Sequence, residues 1–136
     1  MAWRPSCRRR WRKGKTKNRE GFALTVEDIV KALPLTVVAG QDSLAAQVTG
    51  GYASDLLSNV MGFAAPGNVW VTMQGHQNIV AVASLAGLAA VVVAGGVVPE
   101  PDTVAKAKAE GVVLLTTDLP AFAMVGQLYQ SGVKGQ

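Results

Sequence analysis

The chain has 136 residues, one cysteine, one histidine and a formal charge of +4, which suits one modest domain and excludes a disulfide framework or a Cys-based zinc site. The charge is unevenly placed. Residues 1–20 carry nine Lys or Arg against Glu20 alone, while residues 21–136 carry Lys31, Lys106, Lys108 and Lys134 against eight acids, a net of −4. With 49% hydrophobic and 16% charged residues, the part beyond the basic segment is expected to fold around a core.

The opening MAWRPSCRRRWRKGKTKNREG contains no apolar stretch of the kind that a signal peptide needs. Residues 1–22 therefore read as a disordered basic arm and residues 23–135 as the domain, with a cytoplasmic location expected. Nine cations with Trp3 and Trp11 suit nucleic acid or an anionic lipid surface, so nucleic-acid contact is expected through the arm alone. Gly14-Lys15-Thr16 mimics the end of a phosphate-binding loop, but Arg9 stands where the first glycine belongs and no strand precedes it.

Thr25 with Asp28 predicts a capping box, and Val26, Ile29, Val30 and Leu33 then share a helical face before Pro34. Strands are predicted over 35–38 and 48–52. A helix follows, capped by Ser54 or Asp55, with Leu56, Leu57, Val60, Met61 and Ala64 on its apolar side. Next come a strand over 68–73, a helix over 78–87, a strand over 89–94, a helix over 102–110, a strand over 112–116, and a last helix capped by Asp118. Strands alternating with helices of this length imply a single small α/β domain, with a mainly parallel sheet flanked by helices.

The run 79–98 has 20 residues without a charge, long enough on length alone to span a bilayer. Gly87, Gly95, Gly96 and the Val91-Val92-Val93 block argue instead for helix, turn and a strand apolar on both faces. No membrane span is expected.

Val48-Thr49-Gly50-Gly51-Tyr52, then Ser54-Asp55-Leu56-Leu57-Ser58, Val69-Trp70-Val71-Thr72, and Gln74-Gly75-His76-Gln77-Asn78-Ile79-Val80-Ala81-Val82-Ala83 follow one another in an order that resembles the DRTGG domain family. That family is similar to the N-terminal domain of HPr kinase/phosphorylase. Gln47-Val48 stand where the name places Asp-Arg, so no role of that acid or guanidinium carries over. The resemblance implies a regulatory or interaction module, found beside CBS-type nucleotide-sensing domains, in HPr kinases, or alone. It implies no kinase chemistry here, because that chemistry resides in a separate domain with a phosphate-binding loop.

Thr49, Gly50 and Gly51 read as a strand-to-helix turn in which glycine permits φ > 0 or close approach. A ligand would then meet the Thr49 hydroxyl, Tyr52 by stacking, and Asp55 by a hydroxyl or cation. On this reading, removing the Thr49 hydroxyl should spare stability. His76 follows a strand, flanked by the amides of Gln74 and Asn78, where ligands of parallel sheets sit. These eight residues form the expected ligand site; no catalytic residue, metal ligand or cofactor is assigned.

The function expected is a stand-alone regulatory or interaction module, dimeric, sensing a small ligand such as a nucleotide or phosphorylated metabolite. Its protein partners would be a second copy, a kinase, a CBS-domain protein or another regulatory protein. Met61, Phe63, Trp70 and Met73 are the residues expected on the dimer patch. Two alternatives stand beside it: a small phosphotransfer or hydrolase enzyme using His76 with Asp55, and a tether to nucleic acid or membrane through the basic arm.

Overall fold

The computed structural model describes residues 24–135; the basic arm lies outside them. Helix α1 (Val26–Ala32) starts with the expected capping box, in which the Thr25 hydroxyl accepts from the Asp28 N–H and the Asp28 carboxylate accepts from the Thr25 N–H. Strand β1 (Thr36–Ala39) follows and a short 3-10 turn leads on to β2 (Gly50–Ala53). From there strands and helices alternate: α2 (Leu57–Phe63), β3 (Asn68–Thr72), α3 (Asn78–Ala86), β4 (Ala90–Val93), α4 (Pro101–Glu110), β5 (Leu114–Thr116) and α5 (Ala121–Gln130).

The five strands form one sheet in the order β1-β5-β4-β3-β2. From β2 to β5 all pairings are parallel, while β1 runs antiparallel to β5. Right-handed crossovers between neighbours in a row of parallel strands place their helices on one face, and α2, α3 and α4 duly share one core with Trp70, Val91 and Leu114. Helices α1 and α5 cover the other face, over Val69, Val92 and Leu115. The central strands are thus sandwiched. All five residues of β3 and all four of β4 are buried, which accounts for the charge-free run as a helix, a turn and a two-faced strand. Among the described residues no helix is long and apolar enough to cross a membrane.

Several local expectations change. Gly50 and Gly51 lie inside β2 rather than in a turn, and neither has a positive φ. Helix α2 has Leu56 at its N-cap with no side-chain cap; the Ser54 hydroxyl instead accepts from the Leu56 N–H in a two-residue turn. Pro120, not Asp118, stands at the N-cap of α5. Trp70 is fully buried, its indole N–H donating to the Ser54 carbonyl, and so leaves the expected surface patch. Leu56, Met61, Phe63 and Met73 are exposed.

Candidate functional site

In a parallel sheet the side chains that meet a ligand come from the loops beyond the carboxyl ends of the strands. Here those loops are residues 54–56 after β2, 73–77 after β3, 94–100 after β4 and 117–120 after β5. The eight residues expected at a site divide between this edge and the opposite one. Asp55, Gln74, His76 and Asn78 lie at the carboxyl edge. Thr49 and Gly50 lie at the amino end of β2, with Gly51 and Tyr52 along the strand between.

At the carboxyl edge Asp55 is the organising group. Its Oδ1 accepts from the Thr72 hydroxyl and from the Met73 N–H, each at 2.7 Å, and its backbone carbonyl accepts from the Gln74 side-chain amide. The Thr72 hydroxyl in turn accepts from the Gln74 N–H. One carboxylate therefore pins the loop after β2 to the end of β3. His76 is exposed, and its Nδ1 accepts from the Asn78 N–H at 3.2 Å, which puts the proton of a neutral ring on Nε2. Among the described residues, no ion pair joins His76 to Asp55, and no cluster of three or more potential metal ligands occurs. The loop is anchored just before His76, where the Gly75 carbonyl accepts from the Thr103 hydroxyl at 2.7 Å and the Glu100 N–H at 3.0 Å.

The amino-end group is engaged within the fold. The Thr49 hydroxyl donates to the Pro66 carbonyl at 2.8 Å and accepts from the Asn68 side-chain amide at 3.2 Å. Tyr52 donates its phenolic hydrogen to Asn59 on α2. Gly50 and Gly51 are approached by the chain's own C-terminal segment: the Gly51 N–H donates to the Lys134 carbonyl at 3.0 Å, and a Cβ on Gly50 would stand 2.8 Å from that same oxygen. Close approach is the reason for glycine here, as expected, but the approaching group is backbone of the same chain.

Helices on both faces of a mainly parallel five-stranded sheet, with polar loops gathered at one edge, define a small α/β domain. The sequence matches no family model and no curated protein. Among solved structures its fold is similar to the CBS and DRTGG domains of the regulatory region of Clostridium perfringens pyrophosphatase, a structure described as complexed with the activator diadenosine tetraphosphate. The likeness has a TM-score of 0.64 at 13% identity and covers 90% of this chain but 57% of the other. This chain thus spans little more than half of the structure it matches.

Proposed function

We propose that this domain is a regulatory module of the DRTGG type, which reports the presence of a small ligand or partner rather than transforming it. The observation that carries the reading is the fold likeness to a pyrophosphatase regulatory region over 90% of this chain. The proposal draws also on the Thr49-Gly50-Gly51 and Gln74 to Ala83 segments, and a kinship with HPr kinase N-terminal domains is part of it. Asp55, Gln74, His76 and Asn78 are the residues proposed to meet the ligand, with Thr49, Gly50, Gly51 and Tyr52 shaping the strand that supports them. A second copy is the proposed first partner, with Leu56, Met61 and Phe63 on and beside α2 as the apolar patch.

The enzyme alternative needs a base beside His76, and Asp55 already binds the end of β3 with its carboxylate. Isothermal titration of the full chain against nucleotides, sugar phosphates and acyl phosphates tests the proposal, together with light scattering at micromolar protein. Saturable binding without turnover is the expected result. Turnover that His76→Ala abolishes would replace it with the enzyme reading.

A further inference from the structure

The helices after β4 and β5 leave the sheet toward opposite faces, α4 packing with Val91 and Leu114 and α5 with Val92 and Leu115. Such a divergence is where open α/β sheets form a crevice for ligands. Between β4 and β5 themselves that crevice is closed by backbone: the Gly95 N–H donates to the Leu119 carbonyl at 2.7 Å and the Gly96 N–H to the Thr117 carbonyl at 3.0 Å. Both glycines have left-handed φ, +77° and +72°, a conformation that presents successive N–H groups to the neighbouring loop at no steric cost. The open space is displaced to the outer flank of β5, where β1 begins. A pocket of about 360 Å³ lies there, with Thr36, Thr116, Thr117 and Asp118 beside Leu35 and Leu119 on its wall.

Thr36 and Thr116 are directly opposed across the antiparallel β1–β5 pair, which sets their side chains about 5 Å apart at Cβ. The Thr117 hydroxyl is used locally, accepting from the Leu119 N–H at 3.2 Å. The hydroxyls of Thr36 and Thr116 and the Asp118 carboxylate have no bond to any described residue. Two free hydroxyls and a carboxylate make an acceptor-rich group that calls for hydrogen-bond donors on the ligand. The leucines supply an apolar wall. None of the four lysines among the described residues lines the pocket: Lys31 pairs with Glu27, Lys106 with Glu110, Lys134 is held at Tyr129, and Lys108 lies on α4. A phosphate placed there would face Asp118 with nothing to neutralise it.

We propose that this pocket binds an uncharged hydroxyl-bearing molecule, a nucleoside or a free sugar, through its hydroxyls on Asp118, Thr36 and Thr116. The pocket is separate from the Asp55, Gln74 and His76 group, and the inference stands without the regulatory reading. Calorimetric titration of the full chain with adenosine, ribose, AMP and ATP tests it, using Asp118→Asn and Thr116→Val as variants. At this pocket, read as the binding that Asp118→Asn removes, adenosine is expected to bind more tightly than AMP or ATP. Asp118→Asn should weaken that binding about tenfold, because one of the two acceptor oxygens becomes an NH2 donor that faces the ligand hydroxyls and the remaining bond is no longer charge-assisted, with the melting temperature unchanged because the side chain is exposed and bonded to no described residue. Binding of ribose at comparable strength assigns the site to a sugar, and its failure while adenosine binds assigns it to a nucleoside. Three results would overturn the proposal: affinity that rises with phosphate number and is lost in Asp118→Asn, binding of adenosine or ribose indifferent to both variants, or no binding of either at millimolar concentration. None of them touches the regulatory reading, which rests on the fold likeness and is tested by binding that depends on the other loops.

Discussion

The Asp55 carboxylate lies 2.7 Å from the Thr72 hydroxyl, and the same oxygen takes the Met73 N–H at the same distance. An exposed acid that looks like a ligand contact in the sequence thus also closes the carboxyl end of the β2–β3 pair. Charge-assisted bonds of this kind contribute more than neutral ones. Asp55→Ala is expected to lower unfolding free energy by about 1–3 kcal/mol, with Asp55→Asn milder because its amide oxygen keeps both bonds. Urea unfolding of the two variants checks the order. Equal stability of Asp55→Ala and wild type would leave the carboxylate free for a ligand alone.

Gly50 is buried, and an added methyl would press on the Lys134 carbonyl, a backbone atom that cannot swing aside. At Gly51 the nearest atom is the Val133 Cγ1 at 3.1 Å, a side chain that can yield. Gly50→Ala should therefore destabilise by about 1–3 kcal/mol, the usual cost of overpacking, and Gly51→Ala by less. Thermal unfolding of the pair decides it. A reversed order would mean that the C-terminal segment is not seated on β2.

The alternating pattern was readable because each parallel strand is short, apolar and followed by an amphipathic helix, so β3, α3, β4 and α4 emerge close to their real bounds. Strand β1 was read too, but its antiparallel pairing was not. Its four residues look like any edge strand, and pairing with β5 some eighty residues later depends on the order of strands in the sheet, which no local spacing encodes. Sites were legible only as loops. His76 and Gln74 could be placed after a strand, whereas Thr116 and Thr36 come together only through that same long-range pairing. The role of Gly50 was half legible, since glycine signals close approach without naming what approaches.

Thr49 corrects an expectation about stability. Its hydroxyl donates to the Pro66 carbonyl and accepts from Asn68, whose side chain is buried and whose Oδ1 also receives the Ala65 N–H at 3.0 Å. The three residues close the turn between α2 and β3. Thr49→Val keeps the shape and removes the bonds, so it should cost about 1–2 kcal/mol instead of sparing the fold. Asn68→Ala should cost at least as much, and the double variant should fall short of the sum because the residues share one network. A double-variant cycle by chemical denaturation measures the coupling; strict additivity would dissolve the network.

Lys134 joins the end of α5 to the edge of β2. Its ammonium donates to the Tyr129 carbonyl at 2.7 Å and stands 3.9 Å from the centre of the Tyr129 ring, while its own carbonyl accepts from Gly51. Burial pushes the Tyr129 phenol above its ordinary value, since desolvation disfavours the phenolate. The folded state then holds this proton more tightly than the unfolded chain does. Its contribution to stability is complete below the unfolded value and is lost as pH rises through the folded one. The Lys134 charge works in the opposite direction by favouring the anion, so Lys134→Met should move the Tyr129 titration further upward, not back toward the ordinary value. Ultraviolet titration of the phenolate band in wild type, Lys134→Met and Tyr52→Phe separates the two tyrosines and reads the shift. The contact itself, a half-buried cation over a ring with one backbone bond, should contribute about 0.5–1 kcal/mol, measured as the stability lost in Lys134→Met near neutral pH. A Tyr129 titration that falls in Lys134→Met would place the ammonium away from the ring.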